Sequence, residues 1–141
     1  MEYRVYGQDV VVRMDRGEEI LDCIRQVCEK EHILLGSVSG IGAIGEVTWA
    51  FNREKFIYEK RDYTGDMEIA SCSGNISTMK GKNYLHIHMV VGNVTRDFCC
   101  GGHLNRAVIS LTGEFVIHKI AGEVDRAYSS EIGLNLYRFV D

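Results

Sequence analysis

The sequence predicts an α+β fold, a mostly antiparallel sheet of about eight strands with one main helix packed on it. Three observations predict it. Only one segment spaces its apolar residues as a helix does, with Ile20, Cys23, Ile24, Val27 and Cys28. Most of the remaining chain carries β-branched and aromatic enrichment or apolar alternation. Short glycine-containing breaks join several of these runs, as neighbouring antiparallel strands allow.

The elements follow in order. Residues 3–12 alternate loosely and end in Val10-Val11-Val12, which reads as a strand. Asp15-Arg16-Gly17-Glu18 fits a capping box and predicts a helix from about Glu18 to Lys30. Glu18 and Glu19 suit its positive N-terminal end. Strands are then expected over Ile33–Val38, Glu46–Asn52, Phe56–Tyr63, Met67–Thr78, Tyr84–Val91, Val108–Ile120 and Leu134–Phe139. Breaks are expected at Gly36–Gly45, Gly65, Lys80-Gly81-Lys82 and Gly92. So short a helix cannot cover such a sheet alone, so self-association is expected.

Composition narrows the function classes. The chain has 141 residues and no proline, the length of one domain spanning 1–141. It holds no PxxP ligand and no polyproline linker. The formal net charge is −4 and the isoelectric point lies near 5.7. A sequence-independent DNA binder needs a basic footprint. The longest basic cluster is thin: Arg53, Lys55, Lys60 and Arg61, interrupted by Glu54 and Glu59. The N-terminus lacks the pattern of a secretory signal, and no apolar run is long enough to span a membrane. Five cysteines, an odd number without a CxxC, fit plain thiols in a reducing cytoplasm.

The histidines carry the chemistry. His86-Ile87-His88 falls in the expected strand Tyr84–Val91. Alternation puts residues i and i+2 on one face, so the two imidazoles are neighbours while Leu85, Ile87 and Met89 face a core. Two such imidazoles can bind one divalent metal, or stand as two hydrogen-bonded surface histidines. Gly101-Gly102-His103-Leu104 reads as a tight glycine turn. A hairpin-like return would bring His103 beside the first pair. Three protein ligands leave a coordination position free, as in catalytic zinc sites; the alternative is a turn that His103 merely caps. His32, after the helix, and His118, alone on its strand, read as structural. The glycine-rich Ser39–Gly45 segment reads as a turn between strands, or as a donor of backbone N–H groups to an anion.

Glu68 is the candidate catalytic carboxylate. On a strand beside a metal it could serve as a fourth ligand or as general base for a bound water; otherwise it pairs with an arginine at a subunit interface. Glu114 is a weaker candidate of the same kind.

Several motifs, in order, resemble the plant and prokaryote conserved (PPC) domain family. They are the strand–Asp-x-Gly-Glu–helix opening at Val12–Glu19 and Ser39-Gly40-Ile41-Gly42-Ala43. Gly65-Asp66-Met67-Glu68-Ile69, Ser71-Cys72-Ser73-Gly74-Asn75, His86-x-His88 and Gly101-Gly102-His103-Leu104 follow. Each is modestly specific; their order and spacing together are strongly so, and the match covers nearly the whole chain. The resemblance implies an α+β fold, a homotrimer and a metal held by His86, His88 and His103. Three imidazoles suit zinc, the expected ion, and also nickel, copper or iron. In plant members the domain follows an AT-hook that binds A·T-rich DNA, and it recruits partners through a G-R-F-E-I-L segment. Here Asp66 replaces that arginine, and a chain without proline has no Gly-Arg-Pro hook core.

Three function classes compete. One is a trimeric module that binds a metal and a small-molecule ligand or protein partner. Another is a zinc-dependent enzyme acting on a small molecule. The last is a DNA-associated regulator, against which the acidic isoelectric point and the missing hook both count.

Overall fold

The computed structural model describes residues 1–54 and 57–139. The expected strand start at Phe56, and Lys55 of the thin basic cluster, lie outside the described residues.

The chain opens with a hairpin where one strand was expected. Strands β1 (Glu2–Tyr6) and β2 (Asp9–Asp15) pair antiparallel with Val5 opposite Val10. Gly7, at φ 62°, makes the turn in the left-handed region. In β2 the alternation is clean, with Val10, Val12 and Met14 buried.

Helix α1 spans Ile20–Lys30 and buries the predicted face, Ile20, Cys23, Ile24, Val27 and Cys28. It starts two residues later than expected, because Glu19 and not Asp15 is the N-cap. The Glu19 backbone is extended, and its carboxylate accepts from the Asp22 amide at 2.8 Å and the Ala107 amide at 2.9 Å. Glu18 still reaches back to the Asp15 amide at 2.7 Å, as the box predicts. The helix ends with His32 at φ 52° and the Ile33 amide bonded to the Cys28 carbonyl at 2.9 Å. This reverse turn satisfies the last carbonyls and explains His32 without a functional role.

Three long strands replace several short ones: β3 (Gly36–Glu54), β4 (Ile57–Met79) and β6 (Phe98–Lys119), with β5 (Lys82–Asn93) between the last two. The Ser39–Gly45 turn expected from glycine is instead part of β3. It pairs with β4 on one side and β6 on the other, with register shifts in that stretch. Most of its residues are thus paired within the sheet, where a turn was expected. The glycines are there for close approach: a Cβ at Gly40 would lie 2.2 Å from the Phe115 ring. Gly65 bends β4 at φ 119° without ending it. β6 likewise starts at Phe98, ten residues before the expected Val108, so Gly101-Gly102-His103 lies within a strand and not in a turn.

The sheet runs β1-β2-β6-β3-β4-β5, and β5 also pairs with β6. That extra pairing closes β3, β4, β5 and β6 into a four-stranded ring, so one antiparallel sheet covers its own inner face. Ile44, Ile69, Ile76, Ile87, Met89 and Ile109 are among its buried residues, and α1 packs against β5 and β6. Two further strands, β7 (Asp125–Ser129) and β8 (Leu134–Arg138), form a separate hairpin; β8 matches the expected Leu134–Phe139 strand and β7 was not foreseen. Among the described residues no helix is long and apolar enough to cross a membrane.

A candidate metal centre beneath the terminal hairpin

Along β5 the alternation places Ile87 and Met89 inside, each 1% exposed, and turns His86 and His88 outward. The closing seam brings the third imidazole: His88 stands directly opposite His103 in the β5–β6 register. The ring centroids are 5.2 Å apart for His86–His88, 5.2 Å for His86–His103 and 5.5 Å for His88–His103. One nitrogen of each ring lies within 4.8 Å of the other two. Gly101 permits this seam, since a Cβ there would lie 2.7 Å from the Met89 carbonyl oxygen.

The donor set suits a divalent ion. Burial pushes the His103 imidazole below its usual pKa, and the neighbouring His86 and His88 push the same way. Burial also lowers His86, followed by the nearby Arg126 charge and by His88. Both are held in the neutral form that ligates metal.

The three rings line a cavity of about 880 Å³, walled on the far side by β7 and β8. Arg126 holds that hairpin down. It is 7% exposed, donates from Nε to Ser77 Oγ and from Nη1 to the Asn135 carbonyl, both at 2.8 Å, and lies between the rings of Tyr84 and Tyr137 at 4.7 and 4.2 Å. The Tyr58 hydroxyl donates to the Gly133 carbonyl at 2.6 Å, a second tie from barrel to hairpin.

Other candidate residues sit elsewhere. Glu68 is exposed on β4 opposite Gly92. Gly92 is four residues from His88 along β5, about 13 Å at 3.3 Å per residue. Glu68 does not line the cavity, so it does not stand beside the three histidines. Glu114 is exposed on β6 opposite Arg13 and Ile41. His118 meets Asp9 at 2.8 Å across β2 and β6. All five cysteines are free: Cys23, Cys28 and Cys72 are buried, Cys99 is exposed and Cys100 is half-buried. Sequence reasoning missed Tyr84, Arg126 and Tyr137. Tyr84 carried a signal, since it shares the outward face of His86 and His88; Arg126 and Tyr137 carried none.

A closed antiparallel ring with three imidazoles on its outer seam defines a small α+β domain with an all-histidine candidate metal centre. The chain belongs to the Plants and Prokaryotes Conserved (PCC) domain family, whose model matches residues 1–121. A Bacteroides thetaiotaomicron protein suggested to bind DNA is 36% identical, with a TM-score of 0.93 over 98% of this chain and 96% of that one. A metal-containing protein from Archaeoglobus fulgidus is 29% identical, with a TM-score of 0.86 over 98% and 97%. A plant- and prokaryote-conserved protein from Pyrococcus horikoshii is 27% identical, with a TM-score of 0.83 over 99% and 96%. No curated protein matches the chain.

Proposed function

We propose that this chain is a metal-dependent binding module: a homotrimer whose subunits each hold one divalent ion, zinc, on His86, His88 and His103, and present it to a small ligand in the adjoining cavity. The observation that carries the reading is the convergence of three imidazole nitrogens within 4.8 Å on the wall of that cavity. The Archaeoglobus relative, described as metal-containing, supports it. When bound, zinc would supply a Lewis-acid centre with a coordination position to spare. The chain's own residues do the rest. Half-buried His86 and His103 stay neutral beside the exposed His88, Gly101 keeps the seam tight, and Arg126 pins the hairpin that lines the site.

Self-association is supported by the outer sheet face. Val11 and Val116 stand opposite each other and both are exposed, at 46% and 40%, with Ile41 exposed nearby on β3. Five free thiols fit a reducing compartment, and we place the protein in the cytoplasm.

Metal analysis of the purified protein tests the site, with His86, His88 and His103 each changed to alanine. One zinc per chain, lost in each variant, is expected; full occupancy in the triple variant overturns the reading. The Bacteroides relative carries the alternative of DNA association, against which the net charge of −4 counts. A salt-titrated binding assay separates the two, because phosphate contacts are strongest at low salt. No retention there is expected.

A further inference from the structure

The walls of the cavity are unlike the rest of the molecule. The chain carries 20 acidic residues, yet among the described residues none lines the cavity, and the charged residues there other than the histidines are Lys60 and Arg126. Arg126 is the more informative. A buried guanidinium is ordinarily paired with a carboxylate, and among the described residues none is bonded to this one. Its two hydrogen bonds use Nε and Nη1. Among the described residues no enclosed side-chain nitrogen or oxygen is left without a partner, so Nη2, for which they supply no acceptor, keeps access to solvent, and Arg126 lines the cavity. Packing against Tyr84 and Tyr137 holds the group in place and with it the unused Nη2. Around it the wall is aromatic and aliphatic: Phe51, Leu134 and Leu136 join the two tyrosines. The hairpin that contributes Arg126 lies beyond residues 1–121 matched by the family model.

We propose that Arg126 is an anion-recognition residue, which takes the carboxylate of a small organic acid whose apolar body lies along the tyrosine and leucine wall. The unused Nη2 matches a single negative charge, and the exposed Lys60 of the same cavity adds a long-range attraction. A carboxylate fits this wall better than a phosphate, whose higher charge calls for more donors than one arginine offers. The proposal takes its location from the metal-centre reading but does not need the metal, because the arginine–carboxylate bond forms in its absence.

Calorimetric titration of the metal-free and the zinc-loaded protein with benzoate, and with its neutral isostere benzamide, tests it. Benzoate is expected to bind both forms about tenfold or more tightly than benzamide. Arg126→Gln is expected to abolish that preference, and Arg126→Lys to keep part of it by charge without the planar fork. Because Arg126 also anchors the hairpin, each variant is checked for an unchanged near-ultraviolet circular dichroism spectrum of the tyrosines. Should Arg126→Gln lose the hairpin, Arg126→Lys in the folded protein carries the test: a reduced benzoate preference supports the assignment, and an unchanged one overturns it. Equal binding of the two probes, or binding of inorganic phosphate where benzoate fails, overturns the carboxylate assignment. Failure to take up zinc, with the benzoate preference intact, overturns the metal reading alone.

Discussion

His88 and His103 face each other across the seam where β5 meets β6, with ring centroids 5.5 Å apart. They are fifteen residues apart in sequence, and only ring closure makes them a cross-strand pair. His86 completes the trio from the same face of β5. The candidate site is thus a property of closure: the pairing that hides the core also assembles the donors.

The seam is therefore the sensitive point. Gly101→Ala places a methyl 2.7 Å from the Met89 carbonyl oxygen and 2.8 Å from Val90. Backbone cannot retreat from such a contact without shifting β6 at His103. Zinc affinity is expected to fall at least tenfold although no ligand is changed, while Gly81→Ala, whose cost is the left-handed φ of 74° at an open turn and not a contact with the seam, leaves affinity unaltered. Competition with a chromogenic chelator measures both.

A second glycine tests the packing beneath the sheet. Gly40→Ala would bring a methyl to 2.2 Å from the Phe115 ring, in the fully buried core. Destabilisation of about 1–3 kcal/mol is expected from overpacking. Phe115→Leu in the same chain should recover part of it. Urea midpoints at a constant slope give the comparison.

Acid should loosen the metal-free protein. The folded protein holds His86 and His103 below their ordinary pKa, chiefly by burial. A group lowered in this way binds fewer protons folded than unfolded, so stability rises with pH. The contribution is complete above the unfolded value of 6.5 and is lost as pH falls from there through the lowered folded values. Thermal unfolding between pH 7.5 and pH 5, values spanning the histidine range, should show a falling midpoint. Replacing both residues with glutamine should flatten that slope.

Thiol reactivity should sort by burial. Desolvation pushes Cys23 up to about 11 and Cys28 and Cys72 up to about 12, so all three stay protonated and enclosed near neutral pH. Brief alkylation of the native protein should label Cys99, which is exposed, and spare those three. Peptide mass spectrometry reads the pattern; early labelling of Cys28 or Cys72 would contradict the core described here.

The helix and the outward pairing of His86 with His88 were legible because each follows from a short-range period. Ring closure was not. Glycine signals a break when read alone, so Ser39–Gly45 and Gly101-Gly102 read as turns. In the fold both are strand, and glycine is needed because Phe115 and the Met89 carbonyl come close. That proximity is set by a partner strand, which local pattern does not contain. Glu68 looked suitable as a carboxylate on a strand, but its place opposite Gly92 puts it far along the barrel from the histidines. Arg126 escaped notice for the opposite reason: its role comes from Tyr84, Ser77 and Tyr137, three residues on three strands.

The most direct test of the central claim is a crystal of the zinc-loaded protein measured on both sides of the zinc absorption edge. The account predicts one anomalous peak per chain at about 2.0–2.1 Å from a ring nitrogen of each of His86, His88 and His103, with the remaining position open to the cavity under β7 and β8. A zinc peak held by other residues, or none between these three rings, would contradict it.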